Sequence, residues 1–153
     1  MAGLSANILI PLIFVVIGLV LLYIYFRSLA QVRASEGWSA VQGTVVESWV
    51  RRSDTTDNDG SVSSSYYPEV RYQYQVMGNE FQGEKITFGP KGGGNHYAAE
   101  KVIAKYPSGA NVMVYYQPDK PNNAVLERSV SRMLLVFGII LVAAGIFIFV
   151  LWG

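Results

Sequence analysis

Ile8-Leu-Ile-Pro-Leu-Ile-Phe-Val-Val-Ile-Gly-Leu-Val-Leu-Leu-Tyr-Ile-Tyr-Phe26 and Met133-Leu-Leu-Val-Phe-Gly-Ile-Ile-Leu-Val-Ala-Ala-Gly-Ile-Phe-Ile-Phe-Val-Leu-Trp152 are runs of 19 and 20 residues without a charged side chain. Coiled as helices rising about 1.5 Å per residue, each covers the roughly 30 Å of bilayer hydrocarbon. All 12 Lys and Arg and all 11 Asp and Glu of the chain lie between Arg27 and Arg132. The pattern predicts two transmembrane helices flanking one water-soluble domain. It divides the chain into a tail (1–7), a first span (8–26), a juxtamembrane connector (27–37), a β-rich domain (38–127), a basic connector (128–132) and a second span (133–152).

The first run is read as a retained anchor rather than a cleaved leader, because no Lys or Arg precedes it and no small-x-small site follows Phe26. Arg27 and Arg33 follow the first span while Arg128 and Arg132 precede the second. Positive charge at span ends is held on the cytoplasmic side, so the expectation is a multi-pass protein whose middle domain faces the cytoplasm. Tyr23, Tyr25 and Phe26 are expected at one membrane interface and Trp152 at the other, with Asn7 as a cap or headgroup contact. Gly18, Gly138 and Gly145 give the spans a smooth face for close helix packing, within one chain or between chains. Neither span holds an ionisable group, which removes the usual mark of an ion pathway.

In the middle domain, residues 41–50 read as a first strand and the polar residues 53–65 as a mobile hairpin loop. From Tyr67 to Val76 the chain alternates, with Val70, Tyr72, Tyr74 and Val76 on one face and Glu69, Arg71, Gln73 and Gln75 on the other. Met77-Gly78-Asn79 makes a turn into a third strand over 80–88. After Gly89-Pro90-Lys91-Gly92-Gly93-Gly94, Asn95 caps a helix whose Tyr97, Ala98, Lys101, Val102, Lys105 and Tyr106 recur at helical spacing, and Pro107 and Gly109 stop it. Strands at 111–117 and 124–127 follow. Three strands, one helix and two strands is the element order of the five-stranded, barrel-like OB fold, and a small sheet with one helix packed on it is the alternative.

Few residues suggest chemistry. A net charge of +1 with interspersed signs argues against nucleic-acid binding. The chain has no cysteine, and its single histidine, His96, cannot build a zinc shell. Asp54, Asp57 and Asp59 miss the calcium-loop register, since Thr55 falls at the first ligand position and Tyr66 at the closing one. No nucleophile elbow is present, and Glu69, Glu80 and Glu84 read as exposed strand residues, so no catalytic residue, metal or cofactor is expected. The run Gly89–Gly94 lacks the Lys-Ser/Thr ending of a phosphate loop and reads as a flexible connector, with Lys91, Gly92, Gly93, Gly94 and Asn95 as the candidate contact if an anion or lipid headgroup binds there. Tyr72 and Tyr74 are assigned to the core, with a base- or sugar-stacking platform as the alternative.

Trp38-Ser-Ala-Val-Gln-Gly43-Thr-Val-Val-Glu-Ser48, Tyr67-Pro68-x-Val70-x-Tyr72-x-Tyr74 and Lys105-Tyr106-Pro107-x-Gly109-x-x-Val112-x-Val114-x-Tyr116-x-Pro118-x-x-Pro121-x-x-Ala124-Val125-Leu126 together resemble bacterial membrane proteins grouped under a domain of unknown function, in which two spans flank a β-rich domain. The resemblance implies a small protein of the bacterial inner membrane and supplies no activity. The expectation is a non-enzymatic integral membrane protein that presents its β domain at the membrane surface to dock to or assemble a larger membrane complex. Its partners are the lipid bilayer and either another membrane protein or a second copy of itself. The alternatives are an anchored module binding a lipid headgroup or small ligand, and an enzyme with a carboxylate pair.

Overall fold

Two stretches without charge become two long helices in the computed structural model, which describes residues 6–152. Residues 1–5 and the side chains of Asn7 and Trp152, with the roles expected of them, lie outside the described residues. The first helix, α1 (Ala6–Ala34), continues past the apolar run to include Arg27 and Arg33, and a short 3-10 turn (Ser35–Gly37) follows it. Five strands come next: β1 (Ser39–Thr56), β2 (Val62–Val76), β3 (Asn79–Gly83), β4 (Asn111–Gln117) and β5 (Lys120–Val125), with α2 (His96–Ile103) between β3 and β4. The chain closes with α3 (Arg132–Trp152). The residues fall into two compact units, one holding the helical termini and the other Ala34–Arg128.

Within the helical unit, glycine governs the packing. A Cβ placed on Gly18 would sit 2.7 Å from Val142 Cγ2 and 2.9 Å from the Gly138 carbonyl, and one on Gly145 would sit 2.7 Å from Val15 Cγ2. Leu22 covers Gly138 at 2.9 Å from the same kind of probe atom. The three glycines therefore bring α1 and α3 of one chain into backbone contact. Ile13, Leu19, Val20, Val136, Phe147 and Leu151 stay exposed on the remaining surface. Both helices are long and apolar enough to cross a membrane.

The β unit is one antiparallel sheet in the order β3-β2-β1-β4-β5. Its core is the face that the alternation predicts: Val70, Tyr72, Tyr74 and Val76 from β2, joined by Val45, Val114, Ala124, Leu126 and Tyr106. The tyrosines are core residues whose hydroxyls find backbone acceptors. Tyr72 donates toward the carbonyls of Lys85 and Ala124 (2.9 and 3.1 Å), and Tyr74 to that of Pro121 (2.6 Å). Burial raises the pKa of both phenols. The sheet is not a closed barrel: β3 and β5 are its edges and share no ladder. Beyond their ends, Leu126 N–H reaches the Lys85 carbonyl (3.3 Å) and Glu127 N–H that of Ile86 (2.7 Å), so the edges meet at two bonds.

Several segments differ from the sequence reading: β1 runs Ser39–Thr56 where 41–50 was expected, β3 stops at Gly83 instead of 88, and β5 runs Lys120–Val125 instead of 124–127. Residues 53–65 are ordered strand for most of their length, because β1 and β2 stay paired out to Thr56↔Val62 and only a tight turn separates them. Asp57 N–H bonds the Ser61 carbonyl (2.9 Å) and Asp59 Oδ1 accepts from Ser61 N–H (2.9 Å), which closes that turn. A two-stranded ribbon satisfies its backbone internally, so polar faces do not prevent it from forming. On α2 the buried side is Ala99, with Val102 and Ile103 half-buried, while Tyr97 is 73% exposed. The helix ends at Ile103, a turn earlier than the Pro107 stop suggested.

Candidate functional site: the glycine strap and the free edge of β1

The glycine run folds as a strap across β2. Gly94 and Tyr66 exchange both backbone hydrogen bonds at 3.0 Å. Gly93 lies under the Tyr67 ring, where a Cβ would come within 2.7 Å of Cζ. Lys91 Nζ bonds Glu69 Oε2, whose other oxygen accepts from Arg51 Nε at 3.1 Å, and the Arg51 guanidinium stands 4.6 Å over the Tyr67 ring. Asn95 Oδ1 caps α2 by accepting from Ala98 N–H (2.8 Å). Gly92 faces open space. The five residues read as an anion contact are thus adjacent, but Lys91, Gly94 and Asn95 already have partners inside the chain. An anion arriving here competes with Glu69 for Lys91.

Glu69 itself corrects the sequence reading. Alternation places it on the solvent face of β2, yet it is 7% exposed because the strap covers that face. Burial alone would raise its pKa, but the hydrogen bonds from Lys91 and Arg51 outweigh it and hold the carboxyl below the usual range. The other two glutamates remain exposed, Glu84 beside Arg71 (3.5 Å), which also bonds Glu47 (2.8 Å). Glu84 and Glu47 thus share one guanidinium. Asp54 is likewise held by Ser64 and Arg52, both at 2.7 Å, and its pKa is lowered by these bonds. No cluster suited to a metal ion occurs among the described residues.

A different feature carries unused bonding capacity. β4 pairs with β1 only over Ser39–Thr44, and the Gly109–Ala110 backbone takes both bonds of Val45 (2.8 and 2.9 Å). A bulge follows, between Val45 and Glu47. Arg52 lies directly opposite Tyr66, whose N–H and C=O point to Gly94 and so away from β1. In an antiparallel ladder opposite residues either bond each other or both face outward, so the Arg52 N–H and C=O face outward too. By alternation those of Ser48, Val50 and Asp54 do the same. Among the described residues no strand pairs with this edge. Beside it opens a cavity of about 370 Å³ lined by Ser48, Glu100, Ile103, Ala104, Pro107 and Ser108. At its wall the Ser48 Oγ is buried without a hydrogen-bond partner.

A family model described as Domain of unknown function (DUF3592) matches residues 41–131, more than half of the chain. The chain belongs to that family. The DUF3592 match begins inside β1 and stops just before α3, so it takes in the strap, the free edge and the groove. No curated protein matches the chain. The sequence reading singled out the glycine run, but as a flexible connector, where the structure pairs Gly94 with Tyr66. It missed the edge and the groove, for which no motif exists, since they arise from where β4 stops and where α2 lands.

Proposed function

We propose that this chain is a non-enzymatic docking protein of the bacterial inner membrane, anchored by α1 and α3, whose β unit pairs with a partner at the cytoplasmic surface. The observation that carries the reading is the unpaired edge of β1 beside an open groove. Strand edges are templates for a further strand, and natural proteins usually cover them or cut them short. Here the edge runs over the outer half of an 18-residue strand. The outward apolar surface of the two helices supports the anchor, since α1 and α3 use their glycine faces on each other and offer the rest to lipid. The flanking arginines support the cytoplasmic side.

The test is extraction and capture. The full-length protein is expected in the membrane fraction, released by detergent and not by high salt or alkali, with a bound partner or as a self-assembly. A reporter that works only in the periplasm, fused after Ser64 in β2, is expected to be silent. Activity of that reporter would move the β unit to the other side of the membrane. Release without detergent as a monodisperse monomer would overturn the anchor and the docking role together.

A further inference from the structure

The docking reading leaves its partner open, and the inference drawn here rests on that reading. We propose that the partner is a second copy of this chain, joined by antiparallel pairing of the two β1 edges about a two-fold axis at Val50. The outward groups sit on Ser48, Val50, Arg52 and Asp54, so the possible registers are few. An axis at Val50 sets Val46 opposite Asp54, Glu47 opposite Ser53, Ser48 opposite Arg52, and Trp49 opposite Arg51. No two like charges face each other.

Both faces of the joint are complementary in this register. Ser48 and Val50 share the α2 side of β1, since Ser48 pairs with the core residue Val70 and lines the groove with Glu100. Arg52 of the second copy, directly across from Ser48, therefore enters the groove mouth. Its guanidinium, which bonds Asp54 and Ser64 in the single chain, can exchange them there for the Glu100 carboxylate, whose neighbour in the single chain is His96 (3.4 Å), beside the buried Ser48 Oγ. On the opposite face Arg51 of the second copy, held in its own chain by Glu69 and over Tyr67, approaches the partly exposed ring of Trp49, which Arg71 already overlies at 5.7 Å, so an added cation–π contact forms twice by symmetry. Other axes do worse. One at Ser53 matches Arg52 with Asp54 but leaves the groove and the Ser48 hydroxyl unused, one at Trp49 puts Val50 against that hydroxyl, and one at Arg51 stacks like charges.

Because the chain has no cysteine, engineered thiols are the only ones present. Trp49→Cys and Arg51→Cys are made as separate full-length variants and co-expressed. Opposite residues of a non-bonded antiparallel pair lie about 4.5 Å apart at Cα, within disulfide range. The mixture is expected to give an oxidised dimer, and each variant alone is not. Light scattering of the detergent-extracted protein is expected to show a dimer that Glu100→Arg weakens at least about tenfold. Adding Arg52→Glu to Glu100→Arg is expected to restore it, which a general folding defect would not allow. A monomer, or a dimer indifferent to Glu100→Arg that forms no 49–51 cross-link, overturns the proposal. A stoichiometric foreign companion without that cross-link overturns self-pairing while leaving the docking role standing, whereas solubility without detergent removes the docking role itself.

Discussion

Gly83→Ala is expected to destabilise the β unit by about 2 kcal/mol, through the place where the sheet edges meet. Gly83 lies opposite Tyr72, and a Cβ there would come within 2.5 Å of Cε2 and Cζ and 2.6 Å of the hydroxyl. Comfortable contact requires the ring to retreat by about 0.9 Å in a core packed like a crystal. Tyr72 has nowhere to go, being fully buried with its hydroxyl between the Lys85 and Ala124 carbonyls. Overpacking of this kind costs about 1–3 kcal/mol, and pulling the phenol off its acceptors adds about 1 kcal/mol. The stiffer unfolded chain returns only about 0.4–1 kcal/mol.

The measurement is urea unfolding of the full-length protein in mild detergent, followed by tryptophan fluorescence. A loss of that size lowers the midpoint by about 1 M at the slopes usual for a small domain. Gly37→Ala is the control, since nothing lies within 4 Å of that position, and its midpoint should rise slightly through the stiffer unfolded chain alone. Tyr72→Phe alone should cost about 1–2 kcal/mol, and much less when Gly83 is already Ala, because the same bonds are lost in both. An unchanged midpoint for Gly83→Ala, or strict additivity with Tyr72→Phe, would refute the view that this one hydroxyl clasps the segments following β3 and preceding the sheet exit.

Met77 opens the β2–β3 turn at φ 51° with its side chain 97% exposed, so Met77→Asn, which tolerates that backbone, should raise the same unfolding midpoint by about 1 kcal/mol equivalent. Glu69 is depressed by Lys91 and Arg51. Its stabilisation is therefore complete above the unfolded value near about pH 4.3 and is lost as the pH falls through the folded value. Glu69→Gln should flatten the acid limb of a stability–pH curve, and an unaltered limb would show that the strap contact contributes nothing. Gly18→Leu should wedge α1 from α3 and cut several-fold the disulfide yield of a Leu22→Cys/Gly138→Cys pair, which lies in contact in the native packing.

What could be read from the residues followed from local rules. A run without charge is a helix candidate wherever it sits, and strict alternation in β2 names its own core face. β4 was legible to the residue, because Val112, Val114 and Tyr116 alternate between the Gly109 turn and Pro118. The misreadings share one cause, contact with distant chain. Composition says that 53–65 buries nothing, which is correct, but pairing along β1 orders it regardless. Alternation says that Glu69 faces water, and a strap beginning twenty residues later covers it. The open sheet was the alternative to the barrel and not the first reading, since element order cannot tell a ladder between β3 and β5 from the two bonds found beyond their ends.

The bulge between Val45 and Glu47 explains why the candidate site was the least legible part. A side-chain period of two means that one inserted residue exchanges the faces of everything after it. Without it, Glu47, Trp49 and Arg51 would continue the buried row begun by Gly43 and Val45, placing two charges in the core. With it, Ser48 and Val50 take the α2 side, Trp49 and Arg51 turn outward, and the groove acquires a hydroxyl where a carboxylate or an indole would otherwise stand. The same insertion shifts which backbone groups face β2, so that those of Ser48, Val50, Arg52 and Asp54 are left outward after β4 has ended. Nothing in Val45-Val46-Glu47 announces a bulge. It forms because the Gly109–Ala110 turn holds Val45 from one side while β2 sets the register from the other, and that pair of constraints exists only once the chain has folded.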